Sequence, residues 1–371
     1  MATSDALRSR QARWLVPLAV VAVIAAGVGI SSAVASADPA LPARTAAELL
    51  ASLAHAPSQP LSGTVTENAD LGIPALPGTA STSLSWQSLI SGSHTARVWY
   101  SSPSQLRVSL VGDLAESDVV RNGRDLWVWS SRDNTVDHTV LPAGAGTKSG
   151  TTPPIDPLTA ATRALAAIDP STSVTVDGTS RVAGRPVYEL VLSPRATASL
   201  VGQVRLAIDS ETSVPLRVQV FARGDSTPAF ETAFTSVSFD RPADSVFAFS
   251  PPPGARVSES TLPVGPKARS GSGTTSVSSG PRPTVIGTGW TAVVEIPDAA
   301  GLTSGSGSRA GNGAATTAAL MRATTTVTGS FGSGQLLQTS LMSVLLLSDG
   351  RMFVGAVTPD LLTQVAARTA R

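Results

Sequence analysis

The sequence predicts a mainly β protein: a strongly curved antiparallel sheet crossed by two short amphipathic helices, with a small α+β module at its C-terminal end. Three observations carry this. Short segments with period-two alternation follow one another closely, as in Gln105 to Leu110, where Leu106, Val108 and Leu110 alternate with Arg107 and Ser109. Tight-turn residues separate them, such as Asn122-Gly123 and Arg132-Asp133-Asn134. Helical periodicity with start signals marks the stretches after Thr45 and after Asp156.

Taken in order, the chain begins with Arg8, Arg10 and Arg13, followed by an uncharged run from Trp14 to Val34. Ala35-Ser36-Ala37 then supplies small residues where a signal peptidase reads. Residues 1–37 therefore read as a signal peptide cleaved near Ala37, or as an anchor formed by residues 14–34. Trp14 to Ser31 is at the short end of what spans ~30 Å of hydrocarbon. Arginines on the N-terminal side place the rest of the chain outside the cytoplasm in both cases. The protein is thus expected at the membrane at least during export.

Thr45-Ala-Ala-Glu48 is a capping box opening a helix that carries Leu49, Leu50 and Leu53, and Pro57 stops it. A strand from Gly63 to Asn68 follows. The loop from Ile73 to Gly92 holds Leu76, Leu84, Trp86, Leu89 and Ile90, large apolar groups that suit a cover over an apolar surface. Strands are predicted at His94 to Tyr100, Gln105 to Leu110, Ser117 to Arg121, Leu126 to Trp129 and Thr135 to Val140. After a Pro/Gly/Thr-rich stretch, Asp156 and Pro157 start a second helix that ends at Asp169-Pro170. A second meander runs through Ser173 to Val176, Val187 to Leu192, Gln203 to Ile208, Pro215 to Phe221 and Ala229 to Phe239. There Arg217 and Gln219 alternate with Leu216, Val218 and Val220, giving one polar and one apolar face. Residues 38–257 form the first domain. The Ser/Gly/Pro-rich run 258–283 is a flexible linker, and 284–371 is a second module. In it Trp290 to Ile296 reads as a strand and Ala314 to Ala323 as a helix. The apolar run Leu336 to Leu347 turns at Asp349-Gly350 into Met352 to Val357.

Composition narrows the chemistry. The 371 residues include no Cys, so disulfides, thiolate nucleophiles and Cys-ligated metal sites are excluded, as is lipidation of the chain at a cysteine. Three His and a net charge of +1 leave little for acid–base catalysis and argue against a nucleic-acid partner. Gly144 to Ser149 lacks the glycine before Lys148 that a phosphate loop requires, and neither a dinucleotide fingerprint nor a Gly-x-Ser-x-Gly elbow occurs. Asp137 and His138 are adjacent in a strand and so point to opposite faces. Glu116 and Asp118 share a face but have no catalytic partner. Trp127 and Trp129 form a stripe that either packs on a sheet face or lines a ligand cavity. The expectation is a protein that is not an enzyme and takes no cofactor or metal.

A sheet of this size must bury its apolar face, and two short helices cover little of it. A partly closed barrel accepting an apolar ligand fits this shortage. The candidate lining is Leu106, Val108 and Leu110, with Trp99, Leu126 and Val128 as neighbours by strand order. Parity alone does not say which face of a curved sheet is inner.

Four stretches carry a family resemblance. Thr45-Ala-Ala-Glu-Leu-Leu with Leu61-Ser-Gly-Thr-Val resembles the opening helix and strand of the LolA-like superfamily, which comprises periplasmic lipoprotein carriers and related lipid-binding proteins. Gly184 to Pro194 is similar to a later strand. Asp209-Ser-Glu-Thr-Ser-Val-Pro-Leu-Arg resembles the Asp-x-x-Thr-x-x-Pro-Leu-Arg hairpin. Asp240 to Val257, with Phe247 and Phe249 running into Pro-Pro-Pro-Gly, resembles the closing segment. The ordered match spans residues 44 to 257, and the arginine bias suits an actinobacterial type. The resemblance implies an open, strongly curved antiparallel barrel of about eleven strands with short helices as a lid. It also implies a binding protein that carries an acyl chain, as lipid or lipidated protein, outside the cytoplasmic membrane. In the carrier proper the donor is an ABC transporter of the lipoprotein-releasing type. The linker and second module depart from the plain carrier. They match the layout of RseB-like regulators, which act on a membrane-bound anti-sigma factor.

Overall fold

The computed structural model describes residues 39–56, 58–72, 92–112, 115–142, 170–261, 283–297, 299 and 323–369. The signal or anchor segment, loop residues 73–91, the helix expected at 156–169 and nearly all of that expected at 314–323 lie outside the described residues.

The first helix, α1 (Ala46–His55), is capped as its sequence requires. Thr45 Oγ1 accepts from Glu48 N at 3.2 Å, and the Glu48 carboxylate accepts from Thr45 N at 2.7 Å. Leu49 and Leu53, one turn apart, are fully buried and anchor the helix to the main core. Each contributes about 1.5–3 kcal/mol of burial.

The large sheet is built from β1 (Leu61–Ala69), β2 (Gly92–Ser102), β3 (Gln105–Val111), β4 (Glu116–Asn122), β5 (Asp125–Ser130) and β6 (Thr135–Val140). It continues with β7 (Thr172–Val182), β8 (Arg185–Pro194), β9 (Val201–Asp209), β10 (Pro215–Ala222), β11 (Pro228–Ser238) and β12 (Arg256–Thr261). Their spatial order is β12-β6-β5-β4-β3-β2-β1-β11-β10-β9-β8-β7. Two meanders therefore meet at the β1–β11 pair, so the chain's first strand sits mid-sheet. Gly63 is needed there: a Cβ would lie 2.2 Å from the Ser236 carbonyl oxygen beside the bulge at Thr64/Val65. The β7–β8 turn places Ala183 and Gly184 both at positive φ, 51° and 78°, as a twist-matched hairpin demands.

The sheet is rolled. Four strand spacings in a flat sheet separate β7 from β11 by ~19 Å, yet their Cα atoms come within 8 Å. It stays open, with β12 and β7 as its edges. The described residues give this sheet twelve strands, in keeping with the expected number of about eleven, and β12 pairs with β6 in parallel, so the sheet is not wholly antiparallel. Ser258, read as the linker's first residue, lies inside β12. Its Ser/Glu/Thr composition has a linker's polarity, but the backbone pairs along the β6 edge.

Among the described residues the second unit has six strands: β13 (Thr284–Ile286), β14 (Val293–Ile296), β15 (Thr325–Gly329), β16 (Gly332–Gln338), β17 (Ser343–Leu347) and β18 (Met352–Gly355). Their order is β13-β14-β18-β17-β16-β15. The apolar run Leu336 to Leu347 thus spans parts of two strands, separated by a turn in which Thr339 Oγ1 accepts from Met342 N at 3.0 Å. Helix α2 (Pro359–Arg368), with Pro at its first turn, buries Leu362, Val365 and Ala366 against this sheet's core. The unit docks on the large sheet. Trp290 Nε1 donates to Thr172 Oγ1 at 2.8 Å, Leu200 N to the Ala356 carbonyl at 2.9 Å and Thr358 N to that of Ala198 at 2.8 Å. Trp290, Leu341 and Ala356 join the main core.

Candidate functional site

Register fixes the two faces of the large sheet. On the inner face Val65, Ala96 and Leu110 stand in one cross-strand row, and Leu61, Tyr100 and Leu106 in another. The same face carries Phe230, Val220, Val204 and Leu192 across β11 to β8. Nearly all of these are buried in a single cluster with Leu49 and Leu53 of α1. The N-terminal segment runs along this side, because Tyr188 Oη donates to the Pro42 carbonyl at 2.9 Å and Thr179 Oγ1 to that of Pro39 at 2.9 Å.

The candidate residues divide. Leu106 pairs through Arg121 with Leu126, and Val108 through Val119 with Val128, so these and Leu110 share the inner face. Leu106 and Val108 are buried, Leu110 and Leu126 half-buried, and Val128 is 40% exposed. Trp99 is a correction. It pairs with Arg107 and therefore projects from the outer face, its ring 5.7 Å from the Arg107 guanidinium carbon. Odd and even positions of β2 project oppositely, and Trp99 was grouped by strand order without that parity.

Apart from the exposed Val111 and Val257, the outer face is largely polar or covered. Across β7 to β11 it carries the ion pairs Arg217–Glu189 and Arg205–Asp177. Across β3 to β6 it is crossed by the segment that follows β11. Phe247, fully buried, packs there on β3 and β4, and Arg107 donates to the Val246 carbonyl at 3.3 Å. Trp127 stacks on His138 at 3.7 Å and meets Phe249 at 5.5 Å, so the Trp127/Trp129 stripe packs on a covered sheet face and does not join the inner lining. Asp118 is tied to Arg107, and Glu116 accepts from Ser109 Oγ at 2.7 Å, which accounts for both carboxylates.

His138 ties the β12 edge to the sheet. Its Nδ1 meets Glu259 at 2.7 Å and its Nε2 meets Asp125 at 2.9 Å. Desolvation is the largest single influence and pushes its pKa down, but the hydrogen bonds and charges of Asp125 and Glu259 together outweigh it and raise the pKa above 6.5. A raised His contributes stability that is full below the unfolded pKa and fades as pH rises through the folded one. Thermal melts at pH 6 and pH 8 are therefore expected to favour pH 6, and His138→Gln to shrink that difference. An undiminished difference in the variant would assign it elsewhere.

One residue of the inner face escaped the sequence reading. Glu67 has no solvent exposure, and neither carboxylate oxygen has a hydrogen-bond partner. Burial pushes its pKa up to about 8. The available signal was Val65-x-Glu67-x-Ala69, an acid on the apolar parity of its strand. Among the described residues, no group of three or more His, Asp or Glu side chains is placed to hold a metal ion.

Fold and site together define an open, rolled sheet with an apolar inner face and an ion-paired outer one. The model of the DUF2092 family, described as a predicted periplasmic protein, matches residues 78–258, just under half of the chain. That match supports a location outside the cytoplasmic membrane. No helix of the described residues is long and apolar enough to cross a membrane. Among solved structures, the chain is similar to the MucA/MucB complex of Pseudomonas aeruginosa, with 16% identity, TM-score 0.40 and coverage of 86% of this chain and 96% of that one. It is also similar to an uncharacterized conserved protein from Thermus thermophilus, with 14% identity, TM-score 0.33 and coverage of 58% and 98%. A LolA superfamily protein from Nitrosomonas europaea shows 13% identity, TM-score 0.22 and coverage of 56% and 99%. No curated protein matches the chain.

Proposed function

We propose that this is an extracytoplasmic binding protein, not an enzyme, that holds the acyl chain of a lipid or lipidated protein against its inner face and serves as a carrier. One observation supports this most. The inner-face row Val98–Val108–Val119–Val128 leads from buried core to a side chain 40% exposed, so an apolar lane runs out of the core toward the open β12 edge. An acyl chain would lie along that lane as far as Val128, beyond which Asp137 of β6 takes the next position of the row. The carrier reading implies a membrane donor, an ABC transporter of the lipoprotein-releasing type.

Val128→Arg tests the lane. Its position is exposed enough to fold with a charge, and uptake of the fluorescent fatty acid cis-parinaric acid is expected to weaken about tenfold, the effect of ~1.4 kcal/mol. Val108→Arg buries the charge and is expected to unfold the domain. Unchanged uptake by folded Val128→Arg would remove this face from the reading. A second reading, a regulator acting on a membrane-bound anti-sigma factor, is favoured by the docking of the second unit through Trp290, Ala356 and Thr358. Capture of a membrane regulator by the full chain, with no lipid in native extracts, would select it.

A further inference from the structure

The inner face carries a buried polar pair. Glu67 on β1 stands directly opposite Thr232 on β11. Thr232 is 1% exposed, and its hydroxyl, like both oxygens of Glu67, has no hydrogen-bond partner. The pair's row continues into Val218 and Leu206. Val65 and Ala69 flank it on β1, and Phe230 and Phe234 on β11. His94 holds the facing register position on β2. Buried polar groups are nearly always satisfied, and each orphan costs about 1–3 kcal/mol. Cross-strand neighbours lie close enough to bond one another, yet these two do not. Both oxygens of the carboxyl and the hydroxyl thus remain free to engage a third group on the apolar side of the sheet.

We propose that Glu67 and Thr232 form the polar anchor for the head of an acyl-chain ligand, recognising a neutral group that offers an acceptor and a donor on two atoms bonded to one carbon. The chemistry is that of an acyl amide or a protonated fatty acid. This rests on the acyl-chain reading above and specifies the head group which that reading leaves open. With its pKa pushed up by burial, the Glu67 carboxyl is protonated at neutral pH, so it donates through its O–H and accepts through its other oxygen. A carbonyl oxygen takes the first bond and an N–H or O–H supplies the second. An ester has the acceptor but no donor, so it forfeits one bond. Glu67 has no exposure, so a ligand meets it from within the apolar face and not from bulk water.

The test uses the full chain and three probes with the same polyene acyl chain: cis-parinaric acid, its primary amide and its methyl ester, titrated by fluorescence at pH 6.5. The wild type is expected to bind the amide about tenfold more tightly than the ester. Glu67→Gln, which keeps a donor and an acceptor, is expected to retain the preference. Glu67→Leu is expected to bind all three equally, and Thr232→Val to reduce the preference without removing the carboxyl. The acid arm separates the sources: acid bound as tightly as amide points to free fatty acid, and amide alone to a chain ending in a primary amide. Equal binding of amide and ester by the wild type, or a preference that survives in Glu67→Leu, overturns the anchor and leaves the carrier reading standing. No binding of any probe by the wild type overturns both. Should Glu67→Leu fail to fold, Thr232→Val decides: an unaltered preference there counts against the anchor.

Discussion

Asp209→Ala is expected to destabilise the protein by about 3–5 kcal/mol, the usual cost of removing one partner of a buried ion pair. The Asp209 carboxylate is wholly buried at the end of β9. It accepts from Arg185 Nε at 2.5 Å and Nη2 at 3.0 Å, a two-pronged contact across the β8–β9 pair. It also accepts from Thr212 N at 2.8 Å and Thr212 Oγ1 at 2.7 Å. These bonds close the turn into β10, where Ser213 takes a φ of 60°. One carboxylate therefore holds the β8, β9 and β10 ends together. Desolvation, its largest single influence, raises its pKa, but Arg185 and Thr212 outweigh that and hold it below 3.8. A depressed carboxylate contributes stability that is present above the unfolded pKa and lost as pH falls through the folded one. Urea melts between pH 5 and pH 2 should show the wild type losing its advantage over the variant only at the acid end. Glu211→Ala makes the contrast: Glu211 touches the same Arg185 at 2.7 Å but is 73% exposed, and its loss is expected to cost under about 1 kcal/mol. Equal effects of the two variants would refute the assignment.

This hairpin shows why some of the molecule was legible in the sequence. Asp209, Thr212, Pro215 and Arg217 sit within nine residues, so their roles are local and their spacing is a pattern. The same holds for the Thr45/Glu48 capping box and for the alternation in β3 and β10. Long-range choices left no such trace. Nothing in Arg256 to Thr261 says that it will pair in parallel with β6, because its partners are 121 residues away. Trp99 illustrates a related point: strand order fixes neighbours, and only pairing register fixes the face. Glu67 was passed over because an acid in a strand usually marks the wet face. Register puts it on the dry one, beside Thr232. Helix α2 was missed because its start signal, Thr358-Pro359-Asp360, directly follows a strand run with no loop to announce it.

The long-range link with the largest expected effect is Phe247. Phe247→Ala is expected to cost about 3–5 kcal/mol, the range for a buried aromatic truncated to alanine. Phe247 lies in a single 3-10 turn, Asp244–Phe247, too short to hold its own conformation. Its ring is fully buried against β3 and β4 on the outer face. The flanking contacts are slight: Arg241–Asp244 is an exposed ion pair, and Arg107 reaches the Val246 carbonyl at 3.3 Å. The ring therefore supplies most of what fixes this crossing, and the crossing delivers β12 to its edge position. Truncation should act at both ends of that link. Asp118 is 2% exposed beneath the segment and paired with Arg107, so lifting the cover would admit water to that pair. Phe249 would lose its place beside Trp127, so tryptophan fluorescence should change before global unfolding. Limited proteolysis should cut between residues 240 and 255 in the variant under conditions in which the wild type is spared. A variant that melts with the wild type and resists cleavage would mean that β12 holds the edge unaided, through its pairing with β6 and the His138–Glu259 contact.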